Sequence, residues 1–303
     1  MQAQATEGPV TSAPVTAAAA VGPFMTQDAA DAYASKIALN KKPFLEFLRT
    51  FEWKEPTSDP NQQFLDIGCG TGDVTREHIL PRETGARVPP CRRIVAVDFS
   101  PKMLEFAKKH FPHPRIEYKQ LDIGHDVDNF LAEHGTFQRV YSLRTLHWAK
   151  DQARAFSNIA RLMAPGGECI LLFLGRCDTF DFMRRMAQLE PWTKYSHVFE
   201  NAVPKTHDIA DVGKLKSYVE NLVSSAGMVL ITLDVWQRKS SFLDTENAVE
   251  MFLMANPVLP ILPEEEKASF IADARKHVPA WRDAYQENNP LPFASFVVHA
   301  SKP

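Results

Sequence analysis

The fold of this chain is decided by residues 64–73, which read FLDIGCGTGD. The apolar residues on either side of Asp66 predict a short buried strand, and glycines follow directly at positions 68, 70 and 72. Glycine lets the backbone turn tightly and leaves no Cβ between the chain and a bound ligand. The stretch therefore predicts a strand that ends in a ligand-binding loop.

Two common phosphate-binding loops do not fit these glycines. A dinucleotide-binding G-x-G-x-x-G pattern that starts at Gly68 needs glycine at Asp73, and one that starts at Gly70 needs it at Thr75. A Walker loop is excluded because no Gly-Lys-Ser/Thr follows. What remains is an acid followed by alternating glycines, and Asp66 in the strand suits a cationic ligand better than a phosphate.

The sequence on both sides of this loop alternates strands with helices. Apolar strands are predicted at residues 64–67, 94–97, 116–121, 139–143 and 169–174. Helices are predicted at residues 73–80, 101–110, 151–163 and 212–226, and further strands at 229–235 and 293–299. Strands that are apolar on both faces and alternate with helices form a parallel sheet covered on both sides. We expect an α/β fold with a doubly wound, mostly parallel seven-stranded sheet and an antiparallel edge strand.

The length of the chain is compatible with one domain. At roughly 150 residues per domain, the 303 residues would suggest two. We expect instead a disordered tail at 1–24 and a single domain at 25–303. Its acceptor-lid segments are predicted at about 175–211 and 240–285, where the sequence is aromatic-rich or helical in pattern.

Composition argues against several classes of partner. The formal net charge is −3, whereas nucleic-acid binders usually carry a basic surface. No run approaches the roughly 18 apolar residues of a membrane helix, so no membrane insertion is expected. Four cysteines without C-x-x-C spacing indicate a reducing compartment, hence a cytoplasmic location. No metal-ligand spacing is present, so no metal is predicted, and the oligomeric state stays open.

Two further acids lie at the ends of predicted strands. Asp98 ends the second strand and Asp122 the third. The carboxyl ends of parallel strands form the edge where open α/β sheets bind ligands. A single acid at such a place commonly caps a helix, but three acids together with the glycines indicate a binding site.

Together these residues resemble the class I S-adenosylmethionine-dependent methyltransferases, over residues 64–174. The resemblance implies S-adenosyl-L-methionine as cofactor, with Asp66 near its ammonium group, Asp98 at its ribose and Ser142 on the sulfonium side. Gly68, Cys69 and Gly70 would line its amino-acid part. The adenine would be surrounded by Phe99, Met103, Asp122 and Ile123.

A narrower resemblance concerns the methyl acceptor. After the fourth strand the chain reads YSLRTLHW at 141–148, without the Asn/Asp-Pro-Pro-aromatic motif of many nucleic-acid and protein amide methyltransferases. Leu146-His147-Trp148 and the segments 151–152, 158–159, 173–175 and 180–181 resemble insect juvenile hormone acid O-methyltransferases. That resemblance implies a small lipophilic carboxylic acid as substrate. Trp148 would bind its carboxylate, and Asn40 would stand where the family has glutamine.

Alternatives to this function stay open. A carboxyl group ordinarily has a pKa of about 4.3 and is already ionised at pH 7, so no catalytic acid or base residue is predicted and orientation is expected to suffice. An amine or phenol acceptor would instead make His147 a candidate base. Asn40 is one methylene shorter than glutamine, so a cofactor-binding protein with impaired turnover is an alternative interpretation. Trp148 and His147 could also be structural core residues, and Asn40 a solvated helix residue.

Overall fold

The structure is a computed structural model that describes residues 27–36, 38–54, 59–81, 90–238, 244–288 and 293–303. The predicted tail at 1–24 lies outside these residues. Their strands are β1 (Gln63–Ile67), β2 (Arg93–Asp98), β3 (Ile116–Gln120), β4 (Phe137–Leu143), β5 (Met163–Arg176), β6 (Val229–Arg238) and β7 (Phe293–Ser301).

The helices of the described residues lie between and around these strands. They are α1 (Gln27–Lys36), α2 (Ala38–Thr50), α3 (Pro101–His110), α4 (Asp128–His134), α5 (Gln152–Leu162), α6 (Asp178–Met186), α7 (Ser196–Ala202), α8 (Val212–Ser225), α9 (Thr245–Met254) and α10 (Glu264–Asn288). A π-helical turn at Thr75–Ile79 replaces part of the helix predicted after the glycines, and a 3-10 turn spans Leu146–Trp148.

The predicted sheet is confirmed. Its strand order is β3-β2-β1-β4-β5-β7-β6. The pairs from β3 to β5 are parallel, while β7 runs antiparallel to both β5 and β6. Because the order reverses between β1 and β4, the ends of these strands open a crevice at the place where doubly wound sheets bind ligands.

Local sequence explains where the helix after β2 begins. Ser100 accepts a hydrogen bond at its Oγ from the backbone N–H of Met103, at 3.3 Å, and Pro101 follows in the first turn. A capping serine satisfies a backbone donor that the helix leaves unpaired, and proline costs nothing at this position. The cap fixes α3 directly after Asp98, so Phe99 and Met103 stand beside that carboxylate.

A layer of helices, α6, α7, α9 and α10, packs over one end of the sheet. Its buried side chains form a cluster of their own, with Phe180, Trp192, Phe252 and Phe270 among the most buried. The Trp192 Nε1–H donates to Asp273 at 2.9 Å, so this large apolar side chain is also satisfied at its polar end. These helices fall in the two segments predicted as an acceptor lid, and the lid and domain boundaries stay predictions.

The opposite end of the sheet holds a buried ionic cluster. Glu168 Oε1 lies 3.2 Å from Arg139 Nη1, and Glu168 Oε2 lies 2.5 Å from His299 Nε2. The backbone N–H of Lys54 also donates to this carboxylate, at 3.0 Å. The three side chains join β4, β5 and β7 and are almost fully buried.

None of the described helices is long and apolar enough to cross a membrane.

Candidate active site

The loop after β1 is shaped by its contact with the segment after β4. Gly68 has a φ of +75°, and a Cβ at that position would lie 2.0 Å from Thr145 Oγ1. The backbone N–H groups of Gly68 and Cys69 both donate to the carbonyl of Val97, at 2.7 and 2.9 Å. A side chain at Gly68 would therefore require Thr145 or the loop to move, which explains the glycine in physical terms.

Asp98 lies at the bottom of the cleft that this loop borders. Its Oδ2 accepts the backbone N–H of Gly70 at 2.9 Å, and its Oδ1 accepts that of Ser100 at 2.9 Å. Burial raises the pKa of Asp98 to about 6, although these backbone donors oppose the shift. The group is therefore mostly ionised at pH 7. Since each carboxylate oxygen can accept about two hydrogen bonds, both oxygens keep acceptor capacity for a pair of ligand hydroxyls.

Asp66 lies behind the glycine loop and is almost fully buried. Its Oδ2 accepts the hydroxyl of Thr75 at 2.5 Å. Burial raises the pKa of Asp66 to about 7; the Thr75 hydrogen bond opposes this, and the nearby charges of Asp98 and Asp73 add to it. The group is thus close to half protonated at pH 7, and its predicted contact with a ligand ammonium stays a prediction.

The structure brings some of the predicted cofactor residues to one cleft. Those that line it are Gly68, Gly70, Asp98, Phe99 and Met103. Cys69, Asp66, Asp122, Ile123 and Ser142 are not among the residues that line it. The Ser142 hydroxyl donates to the carbonyl of Ile67 at 3.2 Å, and Asn158 holds the Ile123 carbonyl at 2.9 Å. The roles predicted for these residues remain predictions.

The other half of the cleft is largely apolar and aromatic. It is lined by His147, Trp148, Leu174, Phe180, Met251 and Phe293, with Arg144 and Thr145 at its junction with the glycine loop. The ring centroids of Trp148 and Phe180 are 5.7 Å apart and the rings are nearly perpendicular. An apolar site with few polar groups is typical of small-molecule binding.

His147 lies between these aromatic side chains and is almost fully buried. Its Nδ1 accepts the backbone N–H of Leu174 at 3.5 Å, which is a long hydrogen bond. Burial lowers the pKa of His147 well below its ordinary value, and the charge of Arg144 adds to the shift. The imidazole is therefore neutral at pH 7 and is a weak base.

Helix α2 is attached to the glycine loop by an ion pair. Lys41 Nζ lies 2.6 Å from Asp73 Oδ2, and it also stands 5.1 Å from the centre of the Tyr33 ring. Burial opposes ionisation of Asp73, but Lys41 outweighs it and lowers the pKa of this carboxyl. Tyr33 lines the cleft. Asn40 belongs to α2, but its side chain lies outside the described residues.

Sequence reasoning did not assign several residues of the cleft to a site. They are Tyr33, Leu143, Arg144, Thr145, Cys177, Thr179, Ala255 and Phe293. For Arg144 a signal was present, because it immediately follows β4, whose carboxyl end lies at the ligand-binding edge. For Phe293 and Ala255 the sequence carried no comparable signal, since only the folded chain brings them close to β4.

One group of potential metal ligands lies away from the cleft, namely Glu117, Glu133 and His134. Its carboxylates already face cations. Lys119 Nζ lies 3.1 Å from Glu117 and 2.8 Å from Glu133, and Arg93 Nη1 lies 3.1 Å from Glu117. A metal ion at this place would have to displace these charges.

Comparison with known proteins shows which class of protein this chain is similar to. Residues 65–171 match the family described as Methyltransferase domain. A phosphoethanolamine N-methyltransferase 2 from Haemonchus contortus, solved in complex with S-adenosyl-L-methionine, superposes with a TM-score of 0.52 over 92% of this chain and 57% of that chain. At 17% identity this likeness supports the fold alone. Together, these findings support a class I S-adenosylmethionine-dependent methyltransferase, with S-adenosyl-L-methionine as cofactor.

Within that class, the chain is similar to two insect enzymes. It is 33% identical over 187 residues to juvenile hormone acid O-methyltransferase from Bombyx mori, covering 61% of this chain and 64% of that protein. It is 26% identical over 266 residues to the protein of the same name from Drosophila melanogaster, covering 85% of each. The alignment thus spans just under two thirds of the first relative and most of the second.

The described residues fit the cofactor. Asp98 offers two buried carboxylate oxygens with free acceptor capacity, as a ribose diol requires, and Phe99 and Met103 line the cleft beside it. A Cβ on Gly70 would face open space, with Tyr33 as its nearest neighbour at 3.9 Å. The glycine therefore leaves the backbone accessible to a ligand.

Proposed function

We propose that the chain methylates the carboxylate of a lipophilic carboxylic acid, of the farnesoid or juvenile hormone acid type. The observation that carries this proposal is the acceptor half of the cleft. It is lined by aromatic and apolar side chains, and burial makes its imidazole, His147, a weak base. An acceptor that is already ionised at pH 7 needs no base, whereas a phenol or an ammonium group does. The names of the two insect relatives support the same acceptor class.

When bound, S-adenosyl-L-methionine supplies an electrophilic methyl group on a positively charged sulfur. The chain's residues would bind and orient the reactants and exclude water. Asp98 would hold the ribose hydroxyls, and the backbone of Gly68 to Gly70 would follow the amino-acid part. The indole N–H of Trp148 would donate to the acceptor carboxylate. Correct alignment of two reactants can lower a barrier by about 7–11 kcal/mol, so this mechanism requires no proton transfer by the protein.

Methyl transfer can be tested with purified protein, labelled S-adenosyl-L-methionine and acceptors that share one hydrocarbon chain. We expect farnesoic acid to yield a methyl ester, while farnesol and farnesylamine yield nothing. Between about pH 6 and 9 the pH dependence of the initial rate should be the same in the wild type and in His147→Gln, because the acid is ionised throughout and the groups that titrate there, Asp98 and Asp66, lie on the cofactor side. His147→Gln should retain activity. A rate that rises with pH and is abolished in this variant would instead favour a phenol or amine acceptor.

Two substitutions test the acceptor residues. Trp148→Phe keeps the ring but removes the N–H, so it should raise KM for the acid, whereas Trp281→Phe on α10 serves as a matched control. Asn40→Gln tests whether the shorter side chain impairs turnover. If neither the wild type nor Asn40→Gln methylates any acid of a broad panel, the acceptor proposal is wrong and a cofactor-binding protein becomes the better description.

The cytoplasmic location remains a prediction, to be checked by imaging a tagged full-length chain.

A further inference from the structure

A second cavity lies beside the cleft, between helix α2 and the sheet at β5, β6 and β7. Its apolar wall consists of Phe44, Leu172, Trp236 and Phe293, and its polar lining includes two guanidinium groups, those of Arg144 and Arg238. Arg144 and Phe293 also line the cleft. The two cavities are therefore neighbours that share these side chains.

Arg238 is a partly buried cation with an unmet hydrogen-bond donor. Its Nε is buried and has no hydrogen-bond partner among the described residues. Its guanidinium carbon lies 4.3 Å from the centre of the Phe293 ring. Burial lowers the pKa of Arg238, the positive charge of Arg144 adds to this, and Asp178 opposes it more weakly. A buried donor without an acceptor is costly, so this group is suited to an anionic ligand.

Arg144 contributes the second positive charge, at the boundary between the two cavities. Its backbone has a φ of +62°, a conformation that residues with a side chain rarely adopt. Its N–H donates to the carbonyl of Leu172 at 2.5 Å, which fixes the backbone beside β5. In the described part of the chain, neither Arg144 nor Arg238 forms an ion pair with an acid. Strained residues that persist are frequent at ligand sites.

We propose that the second cavity is a binding site for a lipophilic monocarboxylate. Its carboxylate would accept hydrogen bonds from the guanidinium groups of Arg144 and Arg238, and its hydrocarbon chain would pack against Phe44, Leu172 and Trp236. The planar guanidinium group matches a carboxylate in geometry and charge. A methyl ester of the same acid keeps the chain but loses the charge, so the site binds it more weakly.

This site stands on the chemistry of the cavity and does not require methyl transfer. One consequence does rest on the proposed function: a site next to the cleft would hold the free acid in preference to its ester. The acid would then be concentrated beside Arg144, at the boundary with the acceptor half. The neutral product would have no charged partner there.

Calorimetric titration of the full chain with decanoate, below its micelle concentration, tests the site. Methyl decanoate is the neutral counterpart. We expect decanoate to bind more tightly than the ester, and Arg238→Gln to weaken decanoate about 10-fold or more while leaving the ester unchanged. Arg238→Lys should retain part of the affinity, and Arg185→Gln, on an exposed arginine of α6, should have no effect. Arg144→Asn is a second test, since asparagine tolerates the left-handed backbone.

The possible outcomes distinguish binding in the second cavity from binding in the cleft. If decanoate and its ester bind equally, or if Arg238→Gln and Arg144→Asn both bind like the wild type, the proposal is wrong. If Trp148→Phe weakens decanoate and the arginine variants do not, the acid binds only in the cleft, and the second site is again excluded. Arginine-dependent binding in a protein that methylates no acid would refute the proposed function and leave the second site standing. Thermal unfolding of each variant confirms that it is folded.

Discussion

Replacing Gly68 by alanine tests whether the loop after β1 is shaped by its contact with Thr145. The new Cβ would lie 2.0, 2.3 and 2.6 Å from three side-chain atoms of Thr145, in a backbone with a φ of +75°. The left-handed conformation costs a residue with a Cβ roughly 1–2 kcal/mol. Overpacking of this kind costs about 1–3 kcal/mol more. We therefore expect Gly68→Ala to lower the free energy of unfolding by about 2–5 kcal/mol.

Gly166 provides a matched control within the same chain. Its φ is +71°, and a Cβ there would meet nothing within 4 Å. Gly166→Ala therefore includes the cost of the backbone conformation, about 1–2 kcal/mol, but not the contact. Both variants share the loss of glycine's conformational freedom in the unfolded chain. The difference between the two variants isolates the contact with Thr145.

Urea unfolding followed by far-UV circular dichroism measures both variants, with the slope m as a check for two-state behaviour. In a Thr145→Gly background, which removes all three contacting atoms, Gly68→Ala should cost no more than Gly166→Ala. Calorimetry with S-adenosylhomocysteine should show weaker binding to Gly68→Ala than to Gly166→Ala. Equal destabilisation by the two alanine variants, or no relief in the Thr145→Gly background, would contradict this explanation of the loop.

Three further predictions concern buried charges. Asp98→Asn should weaken S-adenosylhomocysteine binding about 10-fold or more, because hydrogen bonds to a charged group contribute about 1.5–3 kcal/mol; unchanged calorimetric affinity would exclude the ribose contact. The pKa of Asp66 is raised to about 7, so its ionisation costs stability as pH rises from about 4 to 7. Asp66→Asn should therefore stabilise the fold more at pH 8 than at pH 5, by roughly 2.7 kcal/mol, because pH 5 lies about two units below the native pKa of about 7 and each unit corresponds to about 1.36 kcal/mol. Equal urea midpoint shifts at both pH values would refute this. Glu168→Ala should lower the free energy of unfolding by about 3–5 kcal/mol, because it leaves the charge of Arg139 uncompensated. Adding Arg139→Met should recover part of this loss in urea unfolding, and no recovery would argue against the ionic cause.

The sheet and the cofactor half of the cleft could be predicted because the residues that define them are neighbours in sequence. Residues 64–73 carry the strand, the acid and the glycines in one stretch, and Asp98 follows its strand directly. In both cases the end of the strand and the ligand-binding residue are neighbours in sequence. Hydrophobic runs such as 169–174 identified the central strands for the same reason, although β5 begins earlier, at Met163.

Other parts could not be predicted, because their causes are not local. Helix α4 (Asp128–His134) was missed, since seven residues with few buried apolar positions give little periodic signal. The aromatic-rich stretch that contains α6 was assigned to an acceptor-lid segment, but its helices were not predicted. Arg144 and Arg238 come together through the pairing of β5, β7 and β6, and nothing in either local sequence indicates the other. Two residues so far apart in sequence become neighbours only once the strand order is known.

Several buried or partly buried charges of the described residues differ in whether they have a partner of opposite charge. Glu168 is paired with Arg139 and His299, and Lys41 with Asp73, so these ions offset one another within the fold. In the described residues no cation pairs with Asp66 or Asp98, and no acid pairs with Arg144 or Arg238. Burial accordingly raises the pKa of the two acids and lowers that of Arg238. Charges left without a counter-ion inside a protein are retained where a ligand supplies it. Asp98 lines the cleft in which we expect the positively charged cofactor, whereas Asp66 lies behind the glycine loop. The guanidinium groups suit a carboxylate, so the unpaired charges at Asp98 and at the two arginines match the two reactants that we propose.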